Sequence, residues 1–175
     1  MKRVLTLLCA VVLTGCAASG SGTGRAPAAT ADLMSAGGQK LGTASFTESG
    51  GKMRLVVDMA GLSPGKHGIH VHAIGMCQDP AFTSAGGHFN PTGKKHGLEA
   101  SEGAHAGDLP NLVADKDGKA HYDLTTTLAT LSAGTLSLFD ADGSALVIHE
   151  KEDDQKTDPT GNSGARVACG VIKRP

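Results

Sequence analysis

From Ala31 onward the chain reads as a succession of short strands broken by Gly, Pro, Asp and Asn, a texture that restricts it to an antiparallel sandwich or barrel. The clearest run is Lys52 to Met59, where Met53, Leu55, Val57 and Met59 recur at period two and therefore share one face of a strand. Further strands are expected at Ala31 to Ser35, Lys40 to Thr47, Gly68 to His72, Leu112 to Ala114, Ala120 to Leu124, Thr135 to Phe139, Ala145 to His149 and Arg166 to Ile172. Two turns declare themselves: Asp115-Lys116-Asp117-Gly118 and Asp140-Ala141-Asp142-Gly143 each end on a glycine that tolerates positive φ. Between Gly75 and Pro110 the alternation lapses into Gly, Pro, His and mostly polar residues, and a second long polar stretch precedes Arg166. Loops of that length in a small domain usually carry function. Eight or so strands with two long loops predict an all-β, Greek-key antiparallel barrel or sandwich. With four Phe, one Tyr and no Trp, the core must come mainly from Val, Leu, Ile, Ala and Met.

The N-terminus has a different character. Lys2 and Arg3 precede an apolar run from Val4 to Leu13, too short to span a bilayer comfortably, which is the form of a secretory signal over residues 1–15. The run ends on Leu13-Thr14-Gly15-Cys16, which resembles a lipobox, so Cys16 is expected to become the lipidated first residue of the mature chain. The alternative is an ordinary cleaved signal in which Cys16 falls by chance. Ala17 to Thr30 is mostly Ala, Ser, Gly and Thr without apolar periodicity. With Cys16 it is expected to form a flexible tether over residues 16–30, leaving residues 31–175 as one domain. Loss of the signal leaves 14 basic residues against 17 acidic ones, a balance unsuited to nucleic acid.

His70 and His72 bracket one residue of an expected strand, so both imidazoles project from the same face and can offer two nitrogens to one metal. The pair alone would equally fit a solvated strand face. Its company changes the reading: His88, His96 and His105 lie in the long loop, Asp108 follows His105 by three residues, and His149 ends a distant strand. Of the eight histidines, His67 is expected to make structural hydrogen bonds near the site and His121 to be exposed on a hairpin strand.

These residues sit in six separated motifs: His67-Gly68-Ile69-His70-Val71-His72, Gly86-Gly87-His88-Phe89-Asn90-Pro91, Lys95-His96-Gly97, His105-Ala106-Gly107-Asp108-Leu109, His149-Glu150-Lys151 and Gly164-Ala165-Arg166-Val167-Ala168-Cys169-Gly170. Their order and content resemble the copper/zinc superoxide dismutases of bacterial type, over nearly everything from Ala31 to Ile172. The resemblance implies that copper is held by His70, His72, His88 and His149, and zinc by His88, His96, His105 and Asp108, with one of each metal per subunit and His88 shared. Four imidazole nitrogens suit Cu(II), whereas three imidazoles and a carboxylate close a tetrahedral zinc site and leave no position for substrate. The implied activity is dismutation of superoxide to dioxygen and hydrogen peroxide by a copper redox cycle. In it His88 surrenders its second proton only while cations pull on both its nitrogens.

The same resemblance makes Arg166 an anion-positioning group beside copper. It makes Asp153 a carboxylate linking His70 to His96, with the neighbouring Asp154 as a competing assignment. Lys151 and Lys156 are candidates for steering superoxide, or are simply solvated loop charges. The family joins the positions of Cys77 and Cys169, and an exported protein is where such a pair oxidises. Cys77 follows His72 by five residues, as in bacterial members and unlike the animal enzymes, so animal dimer contacts are not carried over. A homodimer is compatible with the sequence and not read from it. The implied location is the periplasmic side of a bacterial cell envelope, with Ala17 after the lipidated cysteine resembling lipoproteins sorted to the outer membrane. Two rival readings stand beside this one. A copper-binding module of the same fold without turnover has little need of Arg166 with His149, and a zinc hydrolase needs an open zinc position that the set above does not leave.

Overall fold

The computed structural model describes residues 28–78 and 80–175, so the expected signal, Cys16 and most of the expected tether lie outside the described residues. Three antiparallel strands open the domain: β1 (Ala28–Ser35), β2 (Lys40–Ser49) and β3 (Lys52–Met59). Each buries alternate residues, and Met53, Leu55, Val57 and Met59 all face the core as their spacing demands. β1 begins three residues earlier than expected. Ala28, Ala29 and Thr30 read as tether by composition, yet they pair with Thr47, Phe46 and Ser45 of β2, a ladder that local composition cannot announce.

Next come β4 (Gly65–His67) and β5 (Ile69–His72), which are interrupted at Gly68, and then β6 (Leu112–Ala114), β7 (Ala120–Thr126), β8 (Ala145–His149) and β9 (Arg166–Val171). β4 carries no apolar alternation, and its backbone pairing with β6 is what makes it a strand. The large sheet runs β5-β8-β9-β1-β2-β3-β7, and β4 with β6 forms a small one. Because β4 leads into β5 and β6 packs beside β7, the small sheet sits between the two edges of the large one, which curls toward closure. The pairings β3 with β7 and β5 with β8 require connections that cross the barrel ends, the Greek-key arrangement.

The strand expected at Thr135 to Phe139 does not form. Leu138 is buried and Leu136 partly so, but Ser137 between them is buried as well, and this stretch makes one isolated bridge, Thr130 with Ser137, with its turn set by Ser137 N–H bonding to Gly134 O at 3.1 Å. The buried carboxylate of Glu48, at the end of β2, accepts the N–H groups of Leu131 and Ser132 and pins the segment as a loop. Both expected turns form, but neither joins the two strands of a hairpin as expected: β6 pairs with β4 and β7 with β3, and the segment before the second turn is not a strand. Gly118 has φ 72°, and Asp115 Oδ1 accepts the N–H groups of Asp117 and Lys119 at 2.8 and 2.9 Å.

Besides residues 127–144, which hold the segment just described, two long loops connect the strands: residues 73–111, with a short 3-10 turn at Thr83–Ala85, and residues 150–165. A second apolar cluster, Phe82, Ala85, Ala145, Val147 and Cys169, shows that the first loop covers the outer face of β8 and β9. The inner face of the same strands, with Leu146, Ile148 and Ala168, belongs to the main core. β8 is therefore buried on both faces, and the outer one supports the site.

Candidate metal centre

Ile69 and Val71 point into the core, which turns His70 and His72 outward together. One edge of β5 pairs with β8, and the first long loop returns along the other. Val71 N–H bonds to Gly107 O at 2.9 Å and Phe89 N–H to Val71 O at 2.8 Å, so His88 comes opposite His72 and Asp108 opposite His70. A glycine is required at position 107, because a Cβ there would collide with the Val71 carbonyl. His149 arrives from β8, on the face shared with Ala145 and Val147, where the register with β9 slips and sets it against Arg166.

Four ring nitrogens meet here without a hydrogen-bond partner: His70 Nδ1, His72 Nε2, His88 Nε2 and His149 Nε2, all buried. The ligand atoms of these four residues lie within 4.8 Å of one another. Unpaired buried polar atoms are costly, and four converging on one point are accounted for by a cation between them. Three of the rings have their opposite nitrogen occupied. His70 Nε2 donates to Asp153 Oδ2 at 2.6 Å, His72 Nδ1 to Gly86 O at 2.9 Å, and His149 Nδ1 to Gly164 O at 3.2 Å. Each bond fixes the tautomer that leaves a lone pair facing the cluster. Burial lowers the pKa of all four, to about 4 for His88 and about 3 for His149, while the Arg166 charge further disfavours protonation of His72 and His149. The rings are neutral at ordinary pH and ready to ligate.

The second set adjoins the first through His88. Asp108 Oδ1 lies 2.9 Å from His88 Nδ1, 3.0 Å from His96 Nδ1 and 3.3 Å from His105 Nδ1. A cation about 2.0 Å from four tetrahedral N and O donors separates them by about 3.3 Å, so these are near the edge lengths of a closed zinc site. Asp108 Oδ2 faces away and accepts the N–H groups of Gly97 and His105 at 2.8 and 3.0 Å, leaving one oxygen for a metal. Burial opposes the Asp108 charge, and the bonds to His88, His96 and Gly97 outweigh it, holding the carboxyl well below the usual carboxylate range.

Asp153 is the carboxylate between His70 and His96. Oδ2 takes His70 Nε2, and Oδ1 takes His96 Nε2 at 3.0 Å. Burial would lower the pKa of His96, but Asp108 and Asp153 on its two sides raise it to about 9. Asp154 is exposed and does other work: it accepts from Lys156 N–H, Thr157 N–H and hydroxyl, and Asn162 Nδ2, folding the second loop. Three residues near the site escaped the sequence reading. Asn111 bonds twice to the Asp153 backbone, Gln155 Nε2 bonds to Leu109 O, and Asp158 Oδ1 accepts His96 N–H at 2.8 Å.

Arg166 donates from Nη1 to Phe82 O and from Nη2 to Gly86 O, both at 2.6 Å, and is half-buried. Cys77 and Cys169 are joined by a disulfide, which ties the same loop to β9 three residues beyond Arg166. Lys156 is paired with Glu99 at 2.8 Å, while the Lys151 side chain lies against Gly164, whose carbonyl holds His149. His67 has its two ring nitrogens 2.8 Å from His149 O and Ser63 O, and His121 is exposed beside Asp58.

Comparison with known proteins agrees with the donor sets. Residues 40–172 match the sequence profile of the family described as copper/zinc superoxide dismutase. The chain is 44% identical over 147 residues to the second Cu-Zn superoxide dismutase of Aquifex aeolicus, covering 83% of this chain and 86% of that one. It is 42% identical over 148 residues to the Cu-Zn superoxide dismutase of Caulobacter vibrioides, covering 83% and 85%. Among solved structures, a double mutant of a superoxide-dismutase-like protein from Bacillus subtilis superposes with a TM-score of 0.79 at 41% identity, over 81% of this chain and 95% of that one. The chain therefore belongs to the copper/zinc superoxide dismutase family, and its activity is the copper- and zinc-dependent dismutation of superoxide to dioxygen and hydrogen peroxide.

Proposed function

We propose that His70, His72, His88 and His149 hold the copper, that His88, His96, His105 and Asp108 hold the zinc, and that His88 is shared between them. The observation that carries the assignment is the convergence of four unpaired, buried ring nitrogens, one from each residue of the first set. When bound, copper supplies the one-electron oxidation and reduction of superoxide, and zinc supplies a fixed positive charge. The balance is two superoxide anions and two protons giving one dioxygen and one hydrogen peroxide. Of the four copper-set rings, His88 alone has no carbonyl or carboxylate outside the metal sets on its far nitrogen. Its Nε2 is accordingly the atom that, whenever it is not holding the metal, would carry a proton and pass it to the peroxide product. Arg166 is oriented by two carbonyls, and its remaining N–H groups bind the anion. Lys151, whose side chain runs beside Gly164, would attract superoxide, whereas the Lys156 charge is already paired with Glu99. Each chain contains both complete ligand sets, so no partner copy is needed to finish the site.

The same reading covers the N-terminus. Residues 1–15 are an export signal, Cys16 carries the lipid, and the enzyme faces the periplasm from a bacterial membrane, the outer one by the character of Ala17. Metal analysis of the purified protein tests the ligand assignment: one copper and one zinc per chain are expected, with His149→Ala keeping zinc and losing copper. Loss of both metals together, or neither, contradicts the division into two sets. For the anchor, Cys16→Ser should move the protein from the detergent phase to the aqueous phase, and unchanged partitioning overturns it.

A further inference from the structure

We propose that Asn111 is a positioning residue for both metals, acting through the backbone of Asp153. Its Oδ1 accepts the N–H of Asp153 at 2.8 Å and its Nδ2 donates to the carbonyl of Asp153 at 2.8 Å. A primary amide presents donor and acceptor side by side, so one side chain satisfies both backbone groups of a single residue. Asp153 is 1% exposed, and among the described residues these two backbone groups have no other partner. The side chain held in this way aims one oxygen at His70, a copper-set ring, and the other at His96, a zinc-set ring. Asn111 lies three residues after Asp108, so the clamp also ties the loop that supplies the zinc carboxylate to the loop that supplies Asp153. Gly161 closes the opposite side. A Cβ there would collide with the Asp153 carboxylate and with His96, which shows how little room this carboxylate has.

Removing the amide leaves a buried N–H and a buried carbonyl unpaired, and the segment has to shift to reach water. Any shift of residue 153 turns two rings belonging to two different metals. Outer partners of metal-ligating histidines typically affect metal affinity roughly ten- to hundredfold. The inference rests on the ligand sets proposed above, and the test separates the two.

The full chain is loaded with copper and zinc as wild type, Asn111→Ala, Asn111→Asp and Val57→Ala, the last a core change in β3 remote from the site. Zinc affinity is read by chelator competition and the copper environment by the Cu(II) electron paramagnetic resonance spectrum. Asn111→Ala should weaken zinc by roughly ten- to hundredfold and change the Cu(II) spectrum. Asn111→Asp, which keeps the acceptor and loses the donor, should fall between it and wild type. Val57→Ala should lower the melting temperature while leaving zinc affinity and spectrum as in wild type. If both Asn111 variants match wild type in affinity and spectrum, or change them no more than Val57→Ala does, the positioning role is overturned while the ligand sets stand. If the wild type binds neither metal, both fall. Should Asn111→Ala not fold, Asn111→Asp decides alone.

Discussion

Two nitrogens of Arg166 are committed to the carbonyls of Phe82 and Gly86, a holding arrangement that fixes the guanidinium without neutralising it. It stands opposite His149 in the β8–β9 ladder and shares the Gly86 carbonyl with His72, which places it beside the four converging histidines. Replacing it with alanine removes no ligand, so Arg166→Ala should retain both metals and lose activity. A hydrogen bond to a charged group contributes about 1.5–3 kcal/mol, so kcat/KM should drop roughly ten- to hundredfold. Unchanged kcat/KM at full metal content would remove Arg166 from the mechanism. Most of the histidines, Asp108 and Arg166 could be picked out as candidates because chemically capable side chains sit there in compact motifs, whereas Asp153 lies outside those motifs and came from the family resemblance alone. Asn111, Gln155 and Asp158 were not picked out, because each acts by bonding backbone groups more than forty residues away. Nothing local distinguishes such a residue from any polar loop residue.

At the scale of elements the same division holds. β3 and β5 were readable from alternation, since one face of each meets the core. β4 was not, because three residues held by backbone pairing with β6 leave no pattern, and Thr135 to Phe139 showed alternation without pairing with a strand. The first loop has almost no regular structure and is held by three devices: its edge bonds to β5, the apolar cluster around Phe82, and the Cys77–Cys169 bond. With a sequence separation of 92 residues, the disulfide contributes about 4.6 kcal/mol in the chain-entropy model. Cys77→Ser with Cys169→Ser should therefore lower the unfolding free energy of the metal-loaded enzyme by a comparable amount, measured by denaturant titration. Because Arg166 is held by carbonyls of that loop, activity should fall as well with metals retained. Wild-type stability in the double variant would show that loop packing alone holds the loop in place.

For the whole molecule, the two metal sets leave a signature in the pH dependence of the metal-free protein. Burial pushes His72, His88 and His149 below the ordinary histidine value of 6.5, so the unfolded chain binds protons that the folded chain refuses. Stability then falls as pH drops from about 6.5 toward the folded values of about 4 for His88 and about 3 for His149. Asp108 and Asp153, held below the carboxylate range, act in the same direction at lower pH. His96 runs the other way: its pKa is raised to about 9, so its contribution is complete below about 6.5 and is lost as pH rises through 9. Melting temperatures of the metal-free chain across this range should peak near neutrality and decline on the acid side. A curve flat from pH 7 to 4 would contradict the burial of neutral imidazoles.

Superoxide dismutation decides whether this barrel holds a redox-active copper among His70, His72, His88 and His149. The assay compares the copper- and zinc-loaded chain with His149→Ala prepared in the same way. Rapid dismutation is expected of the wild type and its loss in the variant, with zinc still bound. Full occupancy of copper and zinc in the wild type without turnover would contradict this and leave a metal-binding protein on a dismutase fold.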